Sequence, residues 1–238
     1  MPVGYSAAQI RAAEAPHLAN HEPLMQRAAA GLAAEIRGVI AERRRDGRLR
    51  HARPCVLLLV GPGNNGGDAL YAGAELAAKG KRILVLLVLG RVHEDGLAAA
   101  LAAGAEIVTD DEAVEAAATA DVIVDGIFGT GSSGRSALQG AARDVVMRLQ
   151  PLLGGPEAPA VVAVDLPSGV DADDGSVPDP AVLPADLTVT FGGMKAGLLL
   201  SPARELAGRV RVVQIGIERQ LARMEPALQL PDDTSGGQ

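Results

Sequence analysis

Tryptophan is absent and aromatic residues make up 2% of the 238 residues. A core this poor in rings has to be built from Ala, Val, Leu and Ile. Cysteine occurs once, at Cys55, so no intrachain disulfide can form. At the mouth of an apolar run, that thiol reads as a small buried residue rather than a nucleophile. Excess positive charge is also missing. The formal net charge of -7 argues against a broad nucleic-acid surface, and the basic run RRRDGRLRHAR (43–53) reads as a local, solvated connection. No apolar stretch approaches membrane-spanning length, the longest (83–90) being strand-sized. The opening MPVGYSAAQIRAAE lacks the basic region and apolar core of a secretory signal. His17, His21, His51 and His93 show no metal-ligand spacing. These absences lead us to expect a cytoplasmic protein without membrane or nucleic-acid partners.

A hydrophobic content of 48% with 21% charge suits one globular domain with a substantial core. The first fifty residues read as helix, opened by a capping-box pattern of Ser6 with Gln9. From Cys55 the texture changes to short apolar runs: CVLLLV, ILVLLVL, AEIVT, DVIVDGIF, VVAVDL, LTVTF and RVVQIGI. Helix-length stretches at 67–79, 94–103, 111–118 and 136–149 separate most of them. Continuous apolar strands alternating with helices predict an α/β fold, a three-layer αβα Rossmann-like sandwich with a mostly parallel sheet and N-terminal helices. The last runs lack a clear helix between them and leave room for an antiparallel edge. We expect one domain over 1–218 and a poorly ordered tail over 219–238.

Ligands of such sheets bind at the carboxyl ends of the strands, and the residues following several runs are polar. After the first run, GPGNNGGD (61–68) fits the G-x-G-x-x-G dinucleotide fingerprint. Its Asn64, Asn65 and Asp68 suit hydroxyls, a carboxamide or a metal better than a diphosphate, which a carboxylate in the first helical turn repels. After the fourth run, GTGSSGRS (129–136) matches a Walker A loop except for Arg135 where lysine belongs. Arginine's planar fork does not replace that lysine freely, so this loop reads as a phosphate cradle without NTPase chemistry. An NTPase using it stays as one alternative. After the fifth run, Asp165 leaves an apolar strand as a candidate general acid or base, and Pro167-Ser168-Gly169 turns Ser168 toward the rim. Asn65, Asp125 and Ser168 together offer oxygens for part of a monovalent or hard-cation site. The Asp171, Asp173 and Asp174 cluster reads as turn chemistry, since no bidentate glutamate closes a calcium loop.

With these residues assembled, the chain resembles the YjeF N-terminal family, the NAD(P)H-hydrate epimerases. The likeness runs through SAAQIRAAEA, LMQRAAAGLA, VGPGNNGGDALYAGAELAAKG, ADVIVDGIFGTG, AVDLPSGVDADDG and ADLTVTFGGMKAGLLLSPARELAGRV to IGI. The resemblance implies an isomerase of metabolite repair that interconverts the R and S forms of hydrated NADH and NADPH (NADHX and NADPHX) at nicotinamide C6. It implies substrate contacts from Asn64, Asn65, Gly66, Gly67 and Asp68, from Gly129, Thr130, Gly131, Ser132, Ser133, Gly134 and Arg135, and from Asp165, the candidate catalytic residue. It also implies potassium (K+) as cofactor on Asn65, Asp125 and Ser168, a homodimer, and an ADP- or ATP-dependent dehydratase as functional partner. The family includes scaffold modules that keep the fold without the chemistry; retained Asn65, Asp125, Asp165 and Ser168 speak against that alternative. Where the family usually has glycine after the loop aspartate, this chain has Ala69, whose extra methyl is expected at the loop's edge. The chain is expected to be either a stand-alone epimerase or a fragment of a bifunctional enzyme.

Overall fold

The computed structural model describes residues 1–131 and 137–231. A seven-stranded sheet runs in the order β4–β3–β2–β5–β6–β7–β8. Its strands are β2 (Cys55–Val60), β3 (Arg82–Leu87), β4 (Glu106–Val108), β5 (Val122–Gly126), β6 (Ala160–Val164), β7 (Leu187–Phe191) and β8 (Arg209–Val213). Every neighbouring pair is parallel. The central strands β2, β5 and β6 are buried along their whole length. That explains why they read as unbroken apolar runs: a sheet covered on both faces has no polar side to alternate.

The two faces carry separate cores. Val56, Leu58 and Val60 point toward α1 (Ala7–Ala19), α2 (Leu24–Arg45) and α3 (Asn64–Ala78), where Leu32, Ile36 and Leu70 meet them. Leu57 and Leu59 point the other way, onto Ala117 of α5 (Ala113–Thr119) and Val146 and Leu149 of α6 (Gly140–Leu149). Between α3 and α5, α4 (Glu94–Ala102) covers β3 from the first face, its Ala100 joining that core.

The basic run from the last turn of α2 is largely solvated, 44–48 and 51–53 being exposed, but Arg43 is buried and several of its arginines act as braces. Arg43 donates to the carbonyls of Arg48 and Ala158 at 3.2 and 3.0 Å. Arg50 reaches the carbonyl of Ala118, and Arg53 those of Gly80 and Lys81 at 3.2 and 3.1 Å. Arg50 therefore sits on an orphaned carbonyl at the end of α5, where the helix dipole favours a cation, and Arg53 ties down the turn that follows α3.

Two further expectations change at the end of the chain. The last strands form no antiparallel edge: β7 and β8 are parallel, joined through a 3-10 turn (Ala196–Leu199) and α7 (Ala203–Leu206). The segment beyond Ile217 is structured as far as Leu230. It forms α8 (Glu218–Leu221) and β9 (Leu228–Gln229), and β9 pairs antiparallel with β1 (Val3–Gly4). Two residues, Leu228 and Gln229, opposite a two-residue strand give too little periodicity to read in advance.

The chain builds outward from β2 through β3 to β4, then returns to β5 on the other side of β2. At this reversal the chain leaves β2 and β5 toward opposite faces of the sheet, which is where parallel sheets bind ligands, in a crevice at the carboxyl edge.

Candidate active site

The glycines of the first loop serve close packing. A Cβ on Gly61 would lie 1.7 Å from the carbonyl oxygen of Ile127, and one on Gly66 would lie 2.1 Å from that of Gly61. Only glycine lets the β2 loop cross the β5 loop so tightly and start α3 beneath it. The result tilts the first turn of α3 into the crevice and presents Asn64, Asn65 and Asp68 to it. Across the loop, Asn65 Nδ2 donates to the carbonyl of Val164 at 2.6 Å. A Cβ on Gly129 would come within 2.4 Å of Asn65 Oδ1.

Helix α1 forms the opposite wall. Its capping box is formed as the sequence suggests, with Gln9 N donating to Ser6 Oγ at 3.2 Å and Ser6 N to Gln9 Oε1 at 2.9 Å. Asp173 accepts from Ala7 N at 2.6 Å, so the acidic turn pins this helix over the sheet edge. Arg11 reaches from it to the Thr130 carbonyl at 3.1 Å. The cleft so enclosed holds about 140 Å³ and is lined by Ile10, Glu14, Asn65, Asp68, Asp165 and Lys195 among others. A larger hollow of about 490 Å³ lies at the amino ends of β6 and β7, between Arg43, Gln150, Gly154 and Asp186. Size alone favours that hollow; the smaller cleft gathers the carboxylates and sits where parallel sheets bind ligands.

Asp165 occupies the left-handed region at φ 69°, a conformation that strains a non-glycine residue by about 1–3 kcal/mol. The turn directs its carboxylate into the cleft. Oδ1 accepts from Thr190 Oγ1 at 3.0 Å and pairs with Lys195 Nζ, while Thr130 N approaches Oδ2 at 3.5 Å. Lys195 is buried to 1% exposure and also donates to the Phe191 carbonyl at 3.0 Å. Asp68 has a buried Oδ1 without a hydrogen-bond partner. Burial, reinforced by the charges of Asp165 and Glu14, pushes its carboxyl well above the ordinary range. Burial also raises Glu14, against the pull of Lys195.

Beneath the cleft, Asp125 is fully buried. Its Oδ1 accepts from Ser168 Oγ at 2.6 Å and Ile127 N at 3.3 Å, and its Oδ2 from Ser168 N at 2.8 Å. Ser168 Oγ also accepts from Phe128 N at 2.9 Å. Burial raises the Asp125 carboxyl, and only these neutral groups oppose the shift, with no cationic side chain contributing. A single buried carboxylate among hydroxyl, amide and carbonyl oxygens is an all-oxygen donor set carrying one negative charge. That set fits a hard monovalent cation.

Residues 21–197 match the family described as YjeF-related protein N-terminus. The chain belongs to this family. It is 51% identical to a protein named NAD(P)H-hydrate epimerase from Clavibacter michiganensis, over 90% of this chain and 91% of that one. It is 46% identical to a protein of that name from Microbacterium testaceum, over 94% and 82% of the two chains. It is also 43% identical to the bifunctional NAD(P)H-hydrate repair enzyme Nnr of Mycobacterium tuberculosis, over 90% of this chain and 41% of that one. The crystal structure of yeast ynu0 superposes with a TM-score of 0.66 at 21% identity, covering 82% of each chain, and so shares the fold.

Within this YjeF-related N-terminal domain, the site residues expected from sequence fall into layers. Asn64, Asn65, Asp68, Thr130 and Asp165 line the cleft. Gly66 and Gly67 are buried in the first turn of α3, Gly67 close to the His93 ring. Asp125 and Ser168 form the hydrogen-bonded floor, Gly129 packs on the Asn65 amide, and Gly131 is exposed. Ser132, Ser133, Gly134 and Arg135 lie outside the described residues. The Walker reading fails on helix position: α6 begins at Gly140, whereas a P-loop helix starts at its lysine-serine pair. The Ala69 methyl does not narrow the cleft; it is buried against the sheet, in the space a Cβ on Gly126 would need. Sequence reasoning missed Lys195 and Glu14. Lys195 follows LTVTFGGM, and a lysine this close to a strand-like run without charges was the available signal.

Proposed function

We propose that this chain is an NAD(P)H-hydrate epimerase, interconverting the R and S forms of NADHX and NADPHX at nicotinamide C6. The observation that carries the reading is the meeting of Asp165, Asp68 and Asn65 in one cleft at the sheet's reversal point, with Lys195 seated on Asp165. The relatives named NAD(P)H-hydrate epimerase support it. C6 bears both a hydroxyl and the ring nitrogen, so it is a hemiaminal carbon. Inverting it requires cleavage and reclosure of one C–O or C–N bond and no change of oxidation state. Asp165, aimed into the cleft by its strained turn, is an acid–base group of this step. The cleft admits a ring-sized group, with Ile10, Leu24 and Met25 as its apolar wall. The rest of the dinucleotide would leave past Thr130, where Gly129 and Gly131 offer backbone N–H groups to phosphate.

Potassium is the cofactor of this reading, held by Asp125, Ser168 and Asn65. Bound there, it would offset the buried Asp125 charge and steady the loops that frame the nicotinamide. The bifunctional repair enzymes among the relatives support a functional link to an ATP- or ADP-dependent dehydratase that removes one epimer. A homodimer in the cytoplasm completes the reading; no helix among the described residues is long and apolar enough to cross a membrane. The test is direct. An enriched single epimer of NADHX is mixed with the protein in potassium or sodium buffer, and the R/S ratio is followed chromatographically. Equilibration no faster than the spontaneous rate in either buffer rejects the assignment.

A further inference from the structure

Asp165 is well supplied with partners, whereas Oδ1 of its neighbour Asp68 has none among the described residues. Lys195 and Thr190 both hold Oδ1 of Asp165. Asp68, 6% exposed, lines the same cleft with an Oδ1 that is buried and makes no hydrogen bond. The groups facing it are Glu14 from α1, Asp165 from the end of β6 and Lys195 from the turn after β7; His93 packs one residue away, on Gly67. The described cleft thus gathers three carboxyl groups around one ammonium. Two negative charges in excess of the cation are unfavourable in a buried site, so the cluster favours holding a proton. Lys195 and Thr190 occupy Asp165, and of the two other carboxyl groups Asp68 is the more deeply buried and the one with an oxygen that makes no hydrogen bond among the described residues, so it is placed to carry that proton.

We propose that Asp68 is the second acid–base residue of the epimerisation, donating a proton to the departing C6 hydroxyl while Asp165 accepts one from the water that returns. This rests on the epimerase reading above. In the first half, the C6–O bond breaks with its electron pair leaving on oxygen. That oxygen takes the Asp68 proton and departs as water, while the ring nitrogen's lone pair forms the N1=C6 double bond. The resulting cation lies in a cleft that is now wholly anionic apart from Lys195. In the second half, water adds to the other face of C6, the nitrogen regains its pair, and the released proton passes to Asp165. The hydroxyl has changed faces and one proton has moved from Asp68 to Asp165. The opposite epimer is processed with the roles exchanged, so each direction of an epimerase resets the other, and no oxidant or reductant enters.

Asp68→Asn keeps the shape of the side chain and removes the transferable proton. Its kcat should fall about 10²- to 10⁴-fold with KM changed less than threefold, and its melting midpoint should be no lower than that of the parent. The parent's rate should fall on the alkaline side as Asp68 loses its proton, and the residual activity of the variant should lack that fall. Asp68→Glu should recover at least tenfold over Asp68→Asn. A variant keeping more than a third of the parent kcat, one altered in KM alone, or one keeping the same alkaline fall overturns the proposal. Should Asp68→Asn not fold, Asp68→Glu decides: a folded Asp68→Glu variant with the parent's kcat and an unchanged alkaline fall overturns it. Parent protein that does not epimerise NADHX at all defeats the epimerase reading instead, so the two failures are distinct.

Discussion

The ammonium of Lys195 rests on the carboxylate of Asp165, both of them buried, at the point where the chain after β7 turns back under the N-terminal strand. The isolated bridge between Tyr5 and Lys195, with Ala196 N donating to the Tyr5 carbonyl at 2.9 Å, holds the lysine backbone there. Removing one member of a buried pair leaves the other charge uncompensated, which costs about 3–5 kcal/mol. Lys195→Met should therefore lower unfolding free energy by several kcal/mol in urea titrations. Asp165→Asn combined with Lys195→Met should lose less stability than the lysine change alone. An additive double variant would mean that the two groups do not interact.

Asp68 makes the opposite contribution to stability. Its carboxyl lies well above the usual range in the folded chain because it is buried, so the folded state binds a proton that the unfolded state releases. Its contribution is fully present below the unfolded value and is lost as pH rises through the folded one. Asp68→Asn should be more stable than the parent by about 1–3 kcal/mol near pH 8, the scale of one unsatisfied buried polar group. The gap should close as pH falls toward 4. Urea titrations at several pH values measure this, and a variant less stable at pH 8 contradicts it.

Asp125 answers to cations rather than to pH alone. With only neutral hydrogen bonds around a fully buried carboxylate, exchanging sodium for potassium should raise the melting midpoint of the parent by a few degrees, through binding to the folded state alone. Asp125→Asn removes the charge that makes the cation welcome, so its melting midpoint should be the same in the two salts. Equal midpoints for the parent at saturating potassium would remove the cation from this floor.

Much of this arrangement is legible in the sequence because parallel sheets translate directly into it. Both-face burial writes β2, β5 and β6 as unbroken apolar runs, and the polar residues that follow each run lie at one edge. Asn65, Asp68, Asp125, Asp165 and Ser168 could thus be gathered before any coordinates. What stayed hidden depends on contacts between distant segments. Glu14 enters the site only because Asp173 and Arg11 lay α1 across the edge. Lys195 enters because its side chain folds inward to an acid thirty residues earlier, whereas an unpaired lysine is normally a surface residue. Ala69 misled for a related reason: which way its methyl points is decided by the pitch of α3 against Gly126. Within the solvated run 43–53 the burial of Arg43 was hidden because one of its partners is the Ala158 carbonyl, which no local pattern announces.

The glycines of the first loop give the sharpest structural test. In a dinucleotide turn the second glycine of G-x-G-x-x-G is kept bare so that the pyrophosphate can approach the backbone. Here the demands are different. A Cβ on Gly61 meets the Ile127 carbonyl oxygen at 1.7 Å and its carbon at 2.6 Å, while one on Gly63 meets nothing within 4 Å. Gly63 is the N-cap of α3 with φ at -99°, a conformation alanine adopts freely. Gly61→Ala has to separate the β2 and β5 loops and should lose about 3 kcal/mol or more, or fail to fold. Gly63→Ala should stay within about 1 kcal/mol of the parent, the range of an N-cap change, and retain most of its activity. Chemical denaturation of the two single variants beside the parent measures the contrast. A stable Gly61→Ala, or a folded Gly63→Ala that no longer binds substrate, would show that the loop meets phosphate after all.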